Sequence, residues 1–209
     1  MQRKVIGFYW TLPAPWAGFS RINELDVEKA AGQSRTIKLQ REIIRRWAQE
    51  HRKEIVHEQV YLEIAPDRGS DQVRPVLKNL IALATEQNAE ILYIDFGKEI
   101  RWRSHHFLEG IVGSHIDSFM PIALRDHEAK DLENHFSSWR KSHEEWQQDK
   151  TTRNRVAWDF AKALRDQGIS FPEVALQLND AEVHSPTGKK WSGDNVRKFL
   201  KSFANGLEF

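Results

Sequence analysis

Two hydrophobic patterns alternate along the first 125 residues. Short runs of β-branched, aromatic and aliphatic residues are typical of buried strands, and apolar residues recurring every three or four positions are typical of helices. The runs predict strands over residues 5–10, 55–64, 91–96 and 118–124. The periodic segments predict helices over residues 36–50, 73–84 and 104–112. This alternation predicts an α/β fold in which helices flank a parallel sheet.

Only helical patterns follow Arg125. A stripe with spacings of four, three, four and three residues predicts a long helix with coiled-coil-like periodicity, formed by Leu132, Phe136, Trp139, His143 and Trp146. We expect this stripe to support self-association.

Three shorter helices are predicted beyond this stripe. The first carries Val156, Phe160 and Leu164, and Gly168 is expected to end it. The second spans residues 171–179, and a Pro-Gly-Lys turn over 185–190 follows it. Ser192 is expected to cap the last helix, whose apolar face is Val196, Phe199, Leu200 and Phe203.

The change of pattern predicts three parts. Residues 1–125 form the α/β domain, residues 126–152 form a connecting helix suited to dimerisation, and residues 153–209 form a smaller all-helical domain. The stretch over 13–33 has no clean period and is interpreted as a loop with some local helix.

Composition narrows the function classes. The chain has 209 residues, a formal net charge of +1 and no cysteine, which excludes disulfides and cysteine-ligated zinc. Its apolar runs are too short for a signal-peptide core or a membrane span, so we expect a cytoplasmic protein with no membrane partner. Basic residues outnumber acidic ones in 29–53 and 150–201, and acidic residues outnumber basic ones in 126–149.

The last two predicted helices and the basic turn between them are typical of a helix-turn-helix arrangement. In that geometry the start of the second helix faces base edges in the major groove, and nearby cations contact phosphate. We therefore expect double-stranded DNA as a partner, with Lys189 and Lys190 on phosphate. The residues expected to face the bases are Ser192, Asp194, Asn195, Arg197 and Lys198.

The order of residues in this region adds a family resemblance. The stretch from Gly168 to Asn179 contains Phe171-Pro172-Glu173 and ends in Leu178-Asn179; it is followed by Pro186, Gly188, Lys189, Trp191, Ser192 and Val196. This order resembles the DNA-binding domain of large serine recombinases, in which a helix ending in Leu-Asn precedes a Gly-Lys-x-Trp-Ser turn and another helix.

The first half is similar to the resolvase/invertase catalytic domain of the same superfamily. Residues 36–48, with Gln40 and Trp47, resemble the first helix of that domain. Its Asp-x-Gly-x-Ser-Gly…Arg-Pro-x-Leu segment is matched by Asp67, Gly69, Ser70, Arg74, Pro75 and Leu77. Asp95 matches the aspartate of its Asp-Arg-Leu-x-Arg motif. The resemblance implies a resolvase-like sheet and a homodimer or higher homo-oligomer.

The chain departs from the family at the positions that carry catalysis. The family's Arg-Val-Ser triplet, which supplies the nucleophilic serine, corresponds to Trp10, Thr11 and Leu12, and the two arginines of the second motif correspond to Phe96 and Glu99. Phosphoryl transfer needs cations aimed at developing charge, so these replacements predict a catalytically inactive member. Only vestigial positions, Arg74 and Asp95, would then remain.

Three hypotheses follow from these residues. The leading one is a DNA-binding pseudoenzyme, without cofactor or metal, that regulates transcription or shapes DNA. The second is an active, divergent recombinase that uses Thr11 or Ser20 as nucleophile, assisted by Arg21, Arg101 or Arg103. The third is a protein-interaction module that uses the Trp- and Pro-rich loop over 13–19.

Two further groups of residues, four possible metal ligands and two tryptophans, have simpler structural interpretations. His105, His106, His115 and Asp117 lack metal-ligand spacing and are interpreted as exposed or hydrogen-bonded side chains. Trp10 and Trp16 flank the missing nucleophile position. We expect both to fill that cleft, with docking of a partner as the alternative.

Overall fold

The computed structural model describes residues 3–64, 69–102 and 105–204. The chain forms two compact units. The first unit comprises Met1–Pro13 and Ser20–Ser138, and the second unit comprises Ala14–Phe19 and Trp139–Phe209. The loop that leaves the first strand therefore belongs to the second unit.

A parallel four-stranded sheet forms the centre of the first unit. Its strands are β1 (Lys4–Thr11), β2 (Glu54–Leu62), β3 (Ala89–Tyr93) and β4 (Phe119–Pro121). Their order is β2-β1-β3-β4, and every pairing is parallel. The seven residues of β1 after Lys4 are all buried, as expected for a central strand covered on both faces. The predicted α/β class with a parallel sheet is confirmed.

Helices cover this sheet. They are α1 (Val27–Gln33), α2 (Arg35–Glu50), α3 (Val73–Gln87), α4 (Phe96–Ile100), α5 (His106–Ser114) and the first half of α6 (Asp126–Gln148). Ser34 begins α2 because its side chain accepts a hydrogen bond from the Ile37 amide. The apolar face of α2 buries Ile37, Ile43, Ile44 and Ala48 against the sheet.

Several predicted ends differ from the structure. β3 stops at Tyr93, whereas the prediction extended the strand to Phe96. The Asp95 side chain accepts a hydrogen bond from the Lys98 amide and so starts α4, which makes Phe96 a buried helical residue. β4 has only three residues of the predicted seven, and the predicted start of α5 at Ser104 lies outside the described residues.

The second unit has its own apolar core. Beside the last part of α6 it contains a 3-10 turn (Pro15–Ala17) and α7 (Lys150–Asp166), α8 (Phe171–Asp180) and α9 (Gly193–Ala204). The buried core residues are Ala157, Ala161, Val174, Ala175, Leu178, Trp191, Val196 and Phe199. The expected face of α7 was partly wrong: Val156 is 52% exposed, and the small side chains of Ala157 and Ala161 face the core instead.

The apolar stripe of α6 is covered within the chain. Leu132 and Phe136 belong to the core of the first unit. In the second unit, Trp16 packs against Trp139 and Trp146, with ring centroids 5.8 and 6.4 Å apart. The stripe therefore has packing partners within the chain, and self-association through it stays a prediction. Among the described residues, no helix is long and apolar enough to cross a bilayer.

Candidate nucleic-acid interface

The carboxyl ends of β1 and β3 mark a ligand-binding position in a sheet of this kind. In the order β2-β1-β3-β4, the chain switches from one side of β1 to the other, and such a switch leaves a crevice beyond the strand ends. Trp10, Leu12 and Phe96, which the sequence resemblance compared with catalytic positions, belong to this edge of the sheet.

Aromatic rings occupy two positions where the family has arginines. The rings of Trp10 and Phe96 pack 5.5 Å apart, and these residues are only 5% and 3% exposed. Leu12, at the position of the nucleophilic serine, is half-buried against the same core. Trp10 thus fills the strand ends as predicted, whereas Trp16 packs on α6 in the second unit.

The Gln40 side chain holds the backbone of Trp10 with two hydrogen bonds. Its side-chain oxygen accepts a hydrogen bond from the Trp10 amide at 3.2 Å, and its side-chain nitrogen donates to the Trp10 carbonyl at 2.8 Å. Gln40 is fully buried. This residue of the family-like helix therefore joins α2 to β1 and has a structural task.

Neither alternative nucleophile has a supporting geometry. Thr11 is 5% exposed, and its hydroxyl makes only a long 3.5 Å contact with the Leu12 carbonyl. The Thr11 hydroxyl is therefore buried and has no base within hydrogen-bond distance among the described side chains. Ser20 and Arg21 are exposed, as is Arg101, and no ion pair or side-chain hydrogen bond joins these three residues to the strand ends in the described ranges. Arg103 lies outside those ranges.

A buried polar cluster that the sequence analysis missed lies next to Trp10. Glu63 follows β2 and is 1% exposed, and His105 precedes α5 and is 2% exposed. His105 Nε2 lies 2.8 Å from Glu63 Oε2. The Ser70 hydroxyl and amide donate to the same carboxylate at 2.5 and 2.9 Å. The edge of the Trp10 ring packs on His105 with centroids 5.2 Å apart.

The protonation state of this cluster follows from its hydrogen bonds. His105 Nδ1 accepts a hydrogen bond from the Leu108 amide, so the proton lies on Nε2 and is donated to Glu63. Burial raises the pKa of Glu63, but hydrogen bonds from Ser70, the Ile64 amide and His105 outweigh this effect and lower the pKa below its usual value. Glu63 is therefore a carboxylate near neutral pH.

The cluster is not arranged as a nucleophilic triad. Ser70 and His105 both donate to Glu63, so the imidazole does not accept the serine proton. Gly69 is required for the packing, because a Cβ there would lie 2.7 Å from His105 Cγ. The family-like Gly69 and Ser70 therefore hold a buried carboxylate, while Asp67 lies outside the described residues.

Arg74 and Asp95, the two positions that the resemblance matched to catalytic residues, do not form a site together. Arg74 lies on α3 with its guanidinium carbon 5.1 Å from the centre of the Phe107 ring, and Asp95 caps α4. No ion pair joins them in the described part of the chain. Glu99, at the second arginine position, accepts a hydrogen bond from the Leu124 amide at 2.8 Å.

The segment from α8 to α9 contains the predicted DNA-contacting residues. A capping box starts α8, since Ser170 and Glu173 each bind the backbone of the other. At the other end of α8, the Asn179 side chain pairs with both backbone polar groups of Trp191, at 2.8 and 3.0 Å. This double hydrogen bond fixes the turn between the two helices.

Trp191 and Ser192 complete the turn. The Trp191 indole donates to the Val183 carbonyl at 2.7 Å, and its ring packs on Phe199 at 5.1 Å. The Ser192 hydroxyl accepts a hydrogen bond from the Asn195 amide at 3.3 Å, as expected of a cap. Because its hydroxyl oxygen accepts this capping hydrogen bond, the first role of Ser192 is to stabilise the start of α9.

The remaining predicted contact residues are exposed. Lys189 and Lys190 lie on the turn, and Asp194, Asn195, Arg197 and Lys198 lie on the first turns of α9. The Asp194 carboxylate pairs with Arg197 at 2.6 Å and with Lys198 at 2.7 Å. The two cations are thus held on one face of α9 by an acid, which the sequence analysis did not foresee.

The loop proposed as a protein-docking surface is part of the second unit. Ala14 and Phe19 form an antiparallel bridge with hydrogen bonds of 2.7 and 3.0 Å, and Trp16 packs on α6. The Trp16 side chain of this loop is therefore already packed within the chain.

Comparison of the chain with protein-family models, with curated proteins and with solved structures found no match.

Proposed function

We propose that this protein binds double-stranded DNA through α9 and the turn before it, and that it does not exchange DNA strands. The observation that carries the proposal is the turn fixed by Asn179 and Trp191, which presents an exposed cationic helix start. A helix held in this way is suited to the major groove, with Lys189 and Lys190 beside phosphate.

The roles of the residues in the α8–turn–α9 motif support the serine-recombinase resemblance. Its family-like residues have structural tasks: Leu178 and Trp191 are in the core, Asn179 fixes the turn, and Ser192 caps α9. The residues between and after them, such as Asn195 and Arg197, are exposed. This is the arrangement expected of a recognition module, in which buried and capping residues hold the turn and exposed residues are left to make contacts.

The strand ends support a protein without phosphoryl-transfer chemistry. Trp10, Leu12 and Phe96 form an apolar, mostly buried surface where the family has a nucleophile and its arginines. The side chains of these three residues offer a scissile phosphate no cation to stabilise developing charge. The protein would therefore act on DNA by binding, as a transcriptional regulator or a DNA-architectural factor on a degenerate resolvase-like scaffold.

The test is duplex binding by the full chain over a series of salt concentrations, followed by a denaturing gel. We expect affinity to fall steeply as salt rises, because cations on the protein release counterions from DNA. Arg197→Ala should weaken binding, whereas Lys141→Ala should not, since Lys141 is an exposed cation on α6 and lies neither on α9 nor on the turn before it. No covalent adduct should survive denaturation.

Two outcomes would overturn the proposal. Absence of duplex binding at low salt would remove the DNA-binding function. A protein–DNA adduct on the denaturing gel would instead show an active recombinase, and its attachment site would identify the nucleophile.

A further inference from the structure

A groove with basic walls lies between α3 and α5 in the first unit. Its volume is about 360 Å³, within the roughly 300–1,000 Å³ typical of small-molecule sites. Ile81, Phe107 and Ile111 supply apolar surface to it. It is lined by residues that neither the strand-end cluster nor the DNA interface uses.

The polar side chains of this groove are mostly cations or imidazoles. Arg74 and Lys78 line it from α3, and His106 and His115 line it from α5 and its end. No lining residue among those described is acidic. None of the four forms an ion pair in the described ranges, although most exposed cations of α2 and α9 do. Uncompensated positive charge in a concave site favours an anion.

The ring of Phe107 orients the guanidinium group of Arg74. The guanidinium carbon of Arg74 lies 5.1 Å from the centre of the Phe107 ring, a cation–π contact. Lys78 is four residues further along α3 and therefore lies on the same face of that helix. An oriented guanidinium next to an ammonium is a common arrangement for binding a phosphate group.

A glycine leaves the groove open. Gly110 lines it, and a Cβ at this position would meet no heavy atom within 4 Å. A larger side chain would extend into that space. Gly113, on the same helix and equally unhindered, does not line the groove and provides a matched control.

We propose that the groove between α3 and α5 binds a small organic phosphate, with the phosphate on Arg74 and Lys78 and the organic part on the apolar surface. The groove is larger than inorganic phosphate requires, and its apolar residues would contact a ligand body of sugar-phosphate or mononucleotide size. The inference does not depend on DNA binding. It makes the first unit a ligand-binding module.

The experiment is an NMR titration of the full chain with ribose 5-phosphate and with adenosine monophosphate. Ribose and adenosine serve as the phosphate-free counterparts, and inorganic phosphate tests the anion alone. We expect the phosphorylated compounds to shift amide signals of α3 and α5 and to bind about tenfold or more tightly than the other three, because charge-assisted hydrogen bonds are the strong ones.

Four variants locate the site. Arg74→Gln and Gly110→Leu should each weaken binding by about tenfold or more, the first by removing charge and the second by filling the groove. Two control variants should leave the affinity unchanged. Lys98→Gln removes an exposed cation on α4, and Gly113→Leu enlarges a glycine that does not line the groove. Gly110→Leu removes no charge and replaces a glycine at an exposed helix position, so it keeps the test valid if Arg74→Gln misfolds.

The proposal is overturned if none of the phosphorylated compounds shifts these signals, or if ribose and adenosine bind as well as their phosphates. It is also overturned if the weakening is the same in the Gly113→Leu control. Loss of duplex DNA binding in Arg74→Gln, without binding of the small phosphates, would assign the groove to the DNA backbone instead.

Discussion

Gly188 lies directly against the backbone of Trp16, and both residues belong to the second unit. A Cβ on Gly188 would come 2.6 Å from the Trp16 nitrogen and 2.8 Å from the Pro15 carbonyl carbon. Gly188 also has a φ of 74°, in the left-handed region that favours glycine. The turn before α9 and the loop after β1 are thus in contact, 172 positions apart along the chain, where no side chain could fit between them.

Gly188→Ala should destabilise the second unit. The left-handed conformation alone costs about 1–2 kcal/mol for an alanine, and the collision with backbone atoms adds to this cost. Chemical denaturation followed by tryptophan fluorescence would measure the loss. Gly32→Ala is the matched control, because Gly32 lies in a helix with no atom near a Cβ, and it should be neutral or stabilising. Equal stability of the two variants would contradict the contact.

Asn179→Ala should loosen the turn between α8 and α9. The substitution removes both hydrogen bonds to the Trp191 backbone and leaves those groups without their partner, which costs about 1–3 kcal/mol. Thermal unfolding measures the effect, and Gln177→Ala, on the exposed face of the same helix, should change little. If DNA binding is through α9, the Asn179 variant should also bind duplex more weakly at a temperature where it is folded.

Asp194→Asn should increase duplex affinity and its dependence on salt. The change releases Arg197 and Lys198 from their shared carboxylate and removes a negative charge from the proposed interface. A plot of the logarithm of affinity against that of salt concentration should steepen by about one unit for each additional phosphate that the freed cations neutralise. Asp159→Asn, which removes the partner of Arg155 on α7, is the control. Weaker binding by Asp194→Asn would mean that Asp194 itself contacts DNA.

Glu63→Gln should destabilise the first unit by about 2–3 kcal/mol near neutral pH, because a buried charge-assisted network loses its carboxylate. The pKa of Glu63 is lowered in the folded protein, so its contribution is complete above the ordinary glutamate pKa and is lost as pH falls through the folded value. The difference between wild type and variant should therefore shrink in acid.

The measurement for this cluster is a set of denaturation curves from neutral pH down to the acidic range. Glu42→Gln, an exposed glutamate 4.0 Å from Lys38, is the control and should change stability by less than about 1 kcal/mol. A Glu63→Gln effect that does not vary with pH would show that packing, and not charge, holds the cluster.

Local signals were sufficient for most elements. β1 is a run of mostly β-branched and aromatic residues and α2 has the apolar period of a helix, and both signals depend only on neighbours in the sequence. Caps are equally local: Ser192 is recognisable in the sequence as the cap of α9, and Ser170 and Glu173 have the spacing of a capping box. Phe96 shows where these local signals are insufficient. It continues the apolar run of β3 in the sequence, but the preceding Asp95 already starts a helix.

The sequence by itself determined the α/β class, most helices and strands, and the basic turn at Lys189 and Lys190. Tertiary structure decided which distant residues meet. His105 and Glu63 are 42 residues apart, and Trp16 lies in the second unit although it follows β1 of the first. Periodicity describes one element at a time, whereas these contacts depend on how separate elements pack, and no local pattern encodes that packing.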